Sequence, residues 1–501
     1  MQKKGIKLIA MLLMAIMVIG TLAGCTNGGS SSGSNNSKGG SDAPRELELC
    51  MGQTRWTADD IDDSHMAAYV KSIEEATNTK IKMNAPTHTD FNDKLAALMS
   101  SGTYPDVIRP QQAWDTVVQY ATRGYLIPLT DYIKNDTRFK DFLADSDLSI
   151  YQMGNDIYGI PTNLGNCKIF WFRQDMIDKY GLKVGDTMTT DEFVTEMKKV
   201  NQSEIIPLCI PKWIVNFQIY YNFFGAYGGL KKDENGKWID GIQTQEMKDA
   251  LTWLKEIYDL GLVDKEFITN QNADMREKFY SGKAVAMVDY STYYLNIKNN
   301  SEGAGAPTTG VPVYTLVGPK GGKGNVNESG NEAFSITNKA KNVDACLDVI
   351  HWILFEKQGI LNASFGLENV HYTIENGVLT STEAAKAAGY NFSVTGLGTA
   401  FVPIDVTTLP FSFDGVKNED LTRSNSIVAT SLKSDYLGPM IKVPGGASPI
   451  YDEIASTYND TLYELAAAVM MSTKTLDQAY ADYEQWFKSV NGEGMLAELN
   501  K

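Results

Sequence analysis

Histidine and cysteine are scarce in this chain, at four and five residues among 501. His65, His88, His351 and His371 form no H-E-x-x-H arrangement, and no G-x-S-x-G elbow stands between a strand and a helix, so the usual reagents of metal-assisted and serine hydrolysis are missing. Cys25, Cys50, Cys167, Cys209 and Cys346 are widely spaced without a C-x-x-C pair, which argues against a zinc site or a redox motif. A disulfide stays open; cysteines in apolar runs such as Ile206-Pro207-Leu208-Cys209-Ile210 read instead as small buried hydrophobes. The glycine-rich stretch 318–324 lacks the terminal Gly-Lys-Ser/Thr of a phosphate loop and reads as a surface turn. No cofactor is called for.

Positive charge is also short. The 45 Lys and Arg residues face 61 Asp and Glu, a net charge of -16. Removal of residues 1–24, which hold three lysines and no acid, leaves 42 against 61 and a net charge of -19. Such a body repels phosphate backbones and anionic lipid, so nucleic acid is excluded as a partner. The remaining chain of about 460 residues is ample for two domains of ordinary size.

Long hydrophobic runs are absent except at the N-terminus. There Lys3, Lys4 and Lys7 precede an apolar run over residues 8–23 that ends in Leu22-Ala23-Gly24-Cys25. The run is shorter than the roughly 20 apolar residues of a spanning helix, and its basic flank and small-residue exit mark a signal peptide. The ending resembles the bacterial lipobox, which implies lipidation of Cys25 and an anchor on the outer face of the membrane. Residues 26–41 are almost all Ser, Gly and Asn, a flexible tether with a reach of roughly 20 to 25 Å.

From Arg45 the text alternates strand and helix. Leu47, Leu49 and Met51 recur at period two, Met66, Tyr69, Val70 and Ile73 at helical spacing, and 80–83 alternates again, a β-α-β unit. A helix over Phe91, Leu95, Leu98 and Met99 stops at Gly102, and a short strand follows at 105–108, so a parallel α/β architecture is expected. Farther on, Met247, Ala250, Leu251, Leu254, Ile257 and Tyr258 mark a helix closed by Gly261. A buried strand over 284–288 presents Asp289, Tyr290 and Tyr293 at its end, and the tail from Asp452 reads as helices. Asp233, Asn235 and Asp240 miss the spacing of a calcium loop, and Asn235-Gly236 reads as a hairpin turn, so no metal is assigned.

Several segments together resemble the family 1 extracellular solute-binding proteins, the class of maltose-binding protein and of larger lipoproteins that serve oligosaccharide importers. These are Phe224-Gly225-Ala226-Tyr227-Gly228-Gly229 with the later Gly261-Leu262-Val263-Asp264, Tyr158-Gly159-Ile160-Pro161 followed by 169–175 and Tyr180-Gly181-Leu182, the stretch 279–287, Gly318-Pro319-Lys320-Gly321, and 365–372. Residues 381–438 match little. The resemblance implies an α/β, two-lobed periplasmic-binding-protein-like fold of type II, with a hinged interlobe cleft that traps the ligand. It places 44–160 and about 333–435 in lobe 1, and 161–332 and about 436–501 in lobe 2, after the signal peptide 1–24 and the tether 25–43. The partners it implies are a carbohydrate, the permease subunits of an ABC importer, and the membrane through the lipid on Cys25; the protein is expected to be a monomer and not an enzyme.

Ligands of α/β sheets sit beyond the carboxyl ends of strands, and a sugar site joins aromatic platforms to hydrogen-bonding side chains. The candidates on that rule are Arg55, Trp56, Trp114, Asp115, Asn163, Trp213, Asp289, Tyr290, Tyr293 and Glu332. Trp171, Trp253 and Trp352 fall inside strand or helix patterns and are expected in the core. Arg173 with Asp175 reads as a helix cap and ion pair. Two other readings stay open: a glycan hydrolase, since paired carboxylates are recognised only in space and 61 acids supply many accidental pairs, and a surface-adhesion lipoprotein.

Overall fold

The computed structural model describes residues 43–51, 63–84, 86, 91–110, 113–139, 151–162, 167–200, 203–212, 218–325, 333–383, 412–438, 441, 443 and 447–501. In chain order, its first part holds Arg45–Met51 (β1), Asp63–Thr77 (α1), Thr79–Asn84 (β2), Phe91–Ser101 (α2), Val107–Arg109 (β3), Ala113–Thr122 (α3) and Ile160–Pro161 (β4). The middle holds Lys168–Arg173 (β5), Ile206–Cys209 (β6), Gln245–Asp259 (α4), Asn272–Tyr280 (α5), Ala284–Tyr290 (β7), Tyr294–Gly303 (α6) and Gly310–Val313 (β8). The last part holds Ala333–Ile336 (β9), Val343–Phe355 (α7), Asn418–Ser431 (α8), Pro449–Met470 (α9) and Leu476–Ser489 (α10).

The period-two text of β1 has its physical consequence in the first sheet, whose order is β2-β1-β3-β9-β4. Leu47, Leu49 and Met51 point to one face, where they pack with Tyr69 and Ile73 of α1 and with α7, while Cys50 points to the other, among Phe91, Leu95 and Met99 of α2 and Val117 of α3. The three strands read as a β-α-β series run parallel. The other two do not: β9 is antiparallel to β3 and to β4. The expected parallel architecture is therefore a mixed sheet, because β9 returns from a distant part of the chain and no crossover helix dictates its direction.

The second sheet has the order β8-β5-β7-β6 and is mixed as well, with β7 parallel to β6 and antiparallel to β5. Every residue of β5 after Lys168 is buried, and its faces split the core. Phe170 and Phe172 join α4, α9 and α10; Ile169 and Trp171 join α5, α6 and α8. Leu361, Phe365, Tyr372, Leu379, Phe413, Leu421 and Ile427 pack on that second face, so residues 412–431 lie against the β5–β7 sheet, where Lys298 of α6 also pairs with Asp420 of α8.

Local expectations are met where local chemistry decides. Trp171, Trp253 and Trp352 are buried, as are Cys50, Cys167, Cys209 and Cys346, of which Cys50, Cys209 and Cys346 are free thiols. Burial pushes the Cys50 and Cys346 thiols up to about 12. Asn235-Gly236 turns the hairpin between Leu230–Lys232 and Trp238–Asp240, with Asp233 accepting the N–H groups of Asn235 and Lys237. Arg173 and Asp175 form the expected ion pair, at 2.9 Å, but the expected cap is absent, since the Arg173 side chain makes no capping bond to the helix that follows it and turns instead to the Phe279 and Tyr280 carbonyls. The stretch 318–324 is more than a surface turn: a Cβ on Gly318 would lie 1.6 Å from the Phe223 carbonyl oxygen, and one on Gly324 2.0 Å from the Phe223 ring. Gly318, Gly322 and Gly324 are there for close backbone approach, a constraint imposed by a segment about a hundred residues away.

The C-terminal helices are fastened by one buried carboxylate. Asp240 accepts hydrogen bonds from Tyr458 (2.6 Å) on α9 and Tyr483 (2.8 Å) on α10, as well as from Gln243 and the Ile242 N–H. Burial raises its pKa, and the hydroxyl donors act the other way. Replacing Tyr458 or Tyr483 by Phe removes one hydrogen bond to this group and is expected to lower stability by about 1 to 3 kcal/mol. A fall in the urea midpoint at unchanged m-value checks this; an unchanged midpoint would show the hydroxyls to be expendable.

Candidate functional site

Strand direction decides which loops meet. β1 and β3 run parallel with Met51 opposite Arg109, so both end at one edge of the first sheet. β9 is antiparallel to β3 with Ser335 opposite Ile108, and β4 is antiparallel to β9 with Pro161 opposite Ala333. The start of β9 and the end of β4 therefore share that edge. The segments bearing Arg55 and Trp56, Trp114 and Asp115, Asn163 and Glu332 all adjoin it in the chain.

The second sheet repeats the arrangement. Tyr290 lies opposite Lys168 and Met287 opposite Cys209, which puts the end of β7, the start of β5 and the end of β6 at one edge. Asn163 precedes this edge, Trp213 follows it, and Asp289 and Tyr290 form part of it. The chain passes from the first edge to the second between Pro161 and Lys168, and back between Val313 and Ala333. All ten candidates thus belong to segments that leave two strand edges joined by two crossings. Of these, Arg55, Trp56, Asn163, Trp213 and Glu332 lie outside the described residues, as does Cys25, and Trp114 and Asp115 are described only as backbone in the first turn of α3.

Asp289, Tyr290 and Tyr293 can be built up in full. Asp289 is buried, 2 % exposed, and its carboxylate is engaged on both oxygens. Arg276 donates to it through Nε (2.6 Å) and Nη2 (3.0 Å), and the Tyr290 N–H donates to Oδ1 (2.9 Å). Arg276 comes from α5, whose Met275 and Phe279 are buried in the core and so fix the helix and the neighbouring guanidinium. Burial works against the charge of Arg276, but the hydrogen bonds to Asp289 and its negative charge outweigh it and raise the Arg276 pKa. The guanidinium carbon stands 4.6 Å from the Tyr293 ring centroid, the Tyr293 and Tyr290 rings are 5.9 Å apart, and Lys168 Nζ is 5.0 Å from the Tyr290 ring. Trp171 Nε1 donates to the Tyr290 carbonyl at 3.0 Å and ties the strand end to the core.

This arrangement can hold a ring against partly buried tyrosines and present cationic donors beside it. Sequence reasoning named the two tyrosines and Asp289 but missed Arg276 and Lys168. Lys168 opens a strand and reads as solvated; Arg276 sits in a helix rich in charge, and nothing in the spacing of 13 residues links it to Asp289.

The chain is 22% identical over 524 residues to Lipoprotein LipO of Bacillus subtilis (strain 168), covering 99% of this chain and 97% of that one. It is 23% identical over 459 residues to the polygalacturonan/rhamnogalacturonan-binding protein YtcQ of the same organism, covering 86% and 87%. In three dimensions it is similar to the alginate-binding protein AlgQ2 in its calcium-free structure, with a TM-score of 0.67 at 20% identity over 92% of this chain and 98% of that one. The fold is accordingly the two-lobed α/β fold of solute-binding proteins, and these family and fold neighbours are binding proteins rather than enzymes. The family model for bacterial extracellular solute-binding protein matches residues 60–360, and the chain belongs to that family.

Proposed function

We propose that the chain is the membrane-anchored capture component of an ABC importer, which binds a carbohydrate of several rings between its lobes and delivers it to the permease. The observation that carries this reading is the Tyr290–Tyr293 pair, partly buried and braced by Lys168 and Arg276 at a strand edge. Sugar rings offer an apolar face to such rings and hydroxyls to the polar groups around them. The names of YtcQ and of AlgQ2, a polygalacturonan/rhamnogalacturonan-binding and an alginate-binding protein, support the same ligand class. The ligand set is Tyr290 and Tyr293 with Arg55, Trp56, Trp114, Asp115, Asn163, Trp213 and Glu332, the segments that the two strand edges gather. Asp289 serves it from behind, by holding Arg276.

The lobes follow the two sheets: 44–160 with 333–355 in the first, 161–325 with 436–501 in the second. The core contacts of residues 412–431 favour grouping them with the second sheet, whereas the resemblance in sequence had put them with the first. The protein acts as a monomer and leaves its ligand chemically unchanged. Its anchor is a lipid on Cys25, in keeping with the lipobox and with the name of the lipoprotein LipO; no helix among the described residues is long and apolar enough to cross a membrane.

Two outcomes are expected. Incubation with a panel of oligosaccharides raises the melting temperature with one sugar class, because ligand binds only the folded state, and Trp56→Ala or Trp213→Ala weakens that binding by roughly 1 to 3 kcal/mol. A panel without any shift, or with turnover of a glycan, would end the capture reading. For the anchor, Cys25→Ser shifts the protein from the membrane fraction to the medium, as membrane fractionation reads directly.

A further inference from the structure

We infer that Asn376 is a site of spontaneous covalent modification in the folded protein, where the backbone nitrogen of Gly377 displaces the side-chain amide and water then leaves an isoaspartate or an aspartate in the chain. The chemistry starts from the sequence. An asparagine followed by glycine exposes its Cγ to the next backbone nitrogen, because glycine has no Cβ to obstruct closure of a five-membered ring. Asn27, Asn235, Asn376 and Asn491 are each followed by glycine. Asn27 lies outside the described residues, and the other three are all exposed, so exposure does not rank them.

What ranks them is the peptide unit that must turn for the nitrogen to attack. At Asn235 the nucleophile is occupied: the Gly236 N–H donates to the Asp233 carbonyl at 3.0 Å, and the Asp233 carboxylate clamps the same turn by accepting the Asn235 and Lys237 N–H groups, both at 2.9 Å. At Asn491 the other end is occupied, since the carbonyl accepts the Met495 N–H at 3.0 Å, and Gly492 is buried with the Phe487 ring 2.4 Å from where a Cβ would stand. At Asn376 neither end is held. Glu375 pairs with Val378 across the tip of the hairpin of Tyr372–Glu375 and Val378–Ser381, and Asn376 and Gly377 turn it in left-handed conformations, with φ of 54° and 74°. Among the described residues, neither the Gly377 N–H nor the Asn376 carbonyl or side-chain amide has a hydrogen-bond partner. The Gly377 carbonyl accepts from the Ser412 N–H (2.9 Å) and hydroxyl (3.3 Å), which fixes the following peptide and leaves the reacting one to rotate.

The step balances with water alone. The Gly377 N–H gives its proton to hydroxide, the nitrogen bonds to Asn376 Cγ, the Cγ–Nδ2 bond breaks and ammonia leaves. One water then opens the ring, at Cγ to give isoaspartate's counterpart, aspartate, or at the main-chain carbonyl to give isoaspartate. Either product adds a negative charge beside the exposed Glu375, and isoaspartate also adds a methylene to the main chain between two strands whose Tyr372 and Leu379 are buried.

The test is incubation of the full chain in detergent in mildly alkaline buffer, with and without urea, followed by peptide mapping and enzymatic methylation of isoaspartate. In the folded protein the peptide bearing Asn376 is expected to gain about one dalton and an isoaspartyl group roughly tenfold or more faster than those bearing Asn235 and Asn491, whereas in urea the three converge. Gly377→Ala slows conversion at position 376 by roughly tenfold or more, because a Cβ then obstructs the ring. Should that variant disturb the hairpin, the comparison of the unaltered chain with and without urea still decides. Equal rates at the three positions in the folded protein, a faster reaction at Asn235 or Asn491, or the same spread of rates in urea would overturn the inference. Carbohydrate capture is independent of every one of these outcomes.

Discussion

The register of β7 between β5 and β6 is the constraint on which the site depends. A strand's side chains alternate, so a slip of one residue would exchange the two buried faces and carry Asp289 away from Arg276. Hydropathy alone specifies this register weakly, because residues 284–288 are buried on both sides and read as a continuous apolar run. The polar end supplies what the apolar run cannot. Asp289 has its bidentate partner only when Tyr290 stands opposite Lys168, and Trp171 reaches the Tyr290 carbonyl only in the same alignment. A largely buried ion pair adds little net stability, but it penalises alternatives in which either charge is left alone.

The same logic holds helix α5, which delivers Arg276. At its C-terminal end the wholly buried Arg173, from the far end of β5, donates to the carbonyls of Phe279 (2.7 Å) and Tyr280 (3.0 Å) and across to Ala306 (2.8 Å). The Phe279 and Tyr280 carbonyls belong to the last turn of α5, where no intrahelical donor exists. Arg173 thus satisfies the helix end while Asp289 holds its middle, and the face between them is packed by Met275 and Phe279. A guanidinium carried on so constrained a helix keeps its place beside Tyr293 without reordering.

Much of the architecture was legible as text. Period-two alternation marked β1 and β2, helical spacing marked α1, α2 and α4, and Gly261, at a φ of 72°, closed α4 as a left-handed residue should. Tryptophans inside periodic segments went to the core, and Asn235-Gly236 made its hairpin, since in each case neighbours within one turn or one strand decide the outcome. The direction of β4 and β9 was not legible, nor was the reason for Gly318 and Gly324, because those follow from partners about a hundred residues away or more.

The candidate site divides along the same line. The sequence by itself determined that aromatic and polar residues follow strand ends, that a basic flank and an apolar run precede Cys25, and that the body is acidic. Only the tertiary structure decided that the strand ends belong to two shared edges, that Asp289 is occupied, and that Arg276 and Lys168 flank the tyrosines. Local periodicity is written in contacts a few residues apart, whereas a carboxylate's partner is chosen by whichever donor the packed core brings within about 3 Å, and no spacing along the chain encodes that choice.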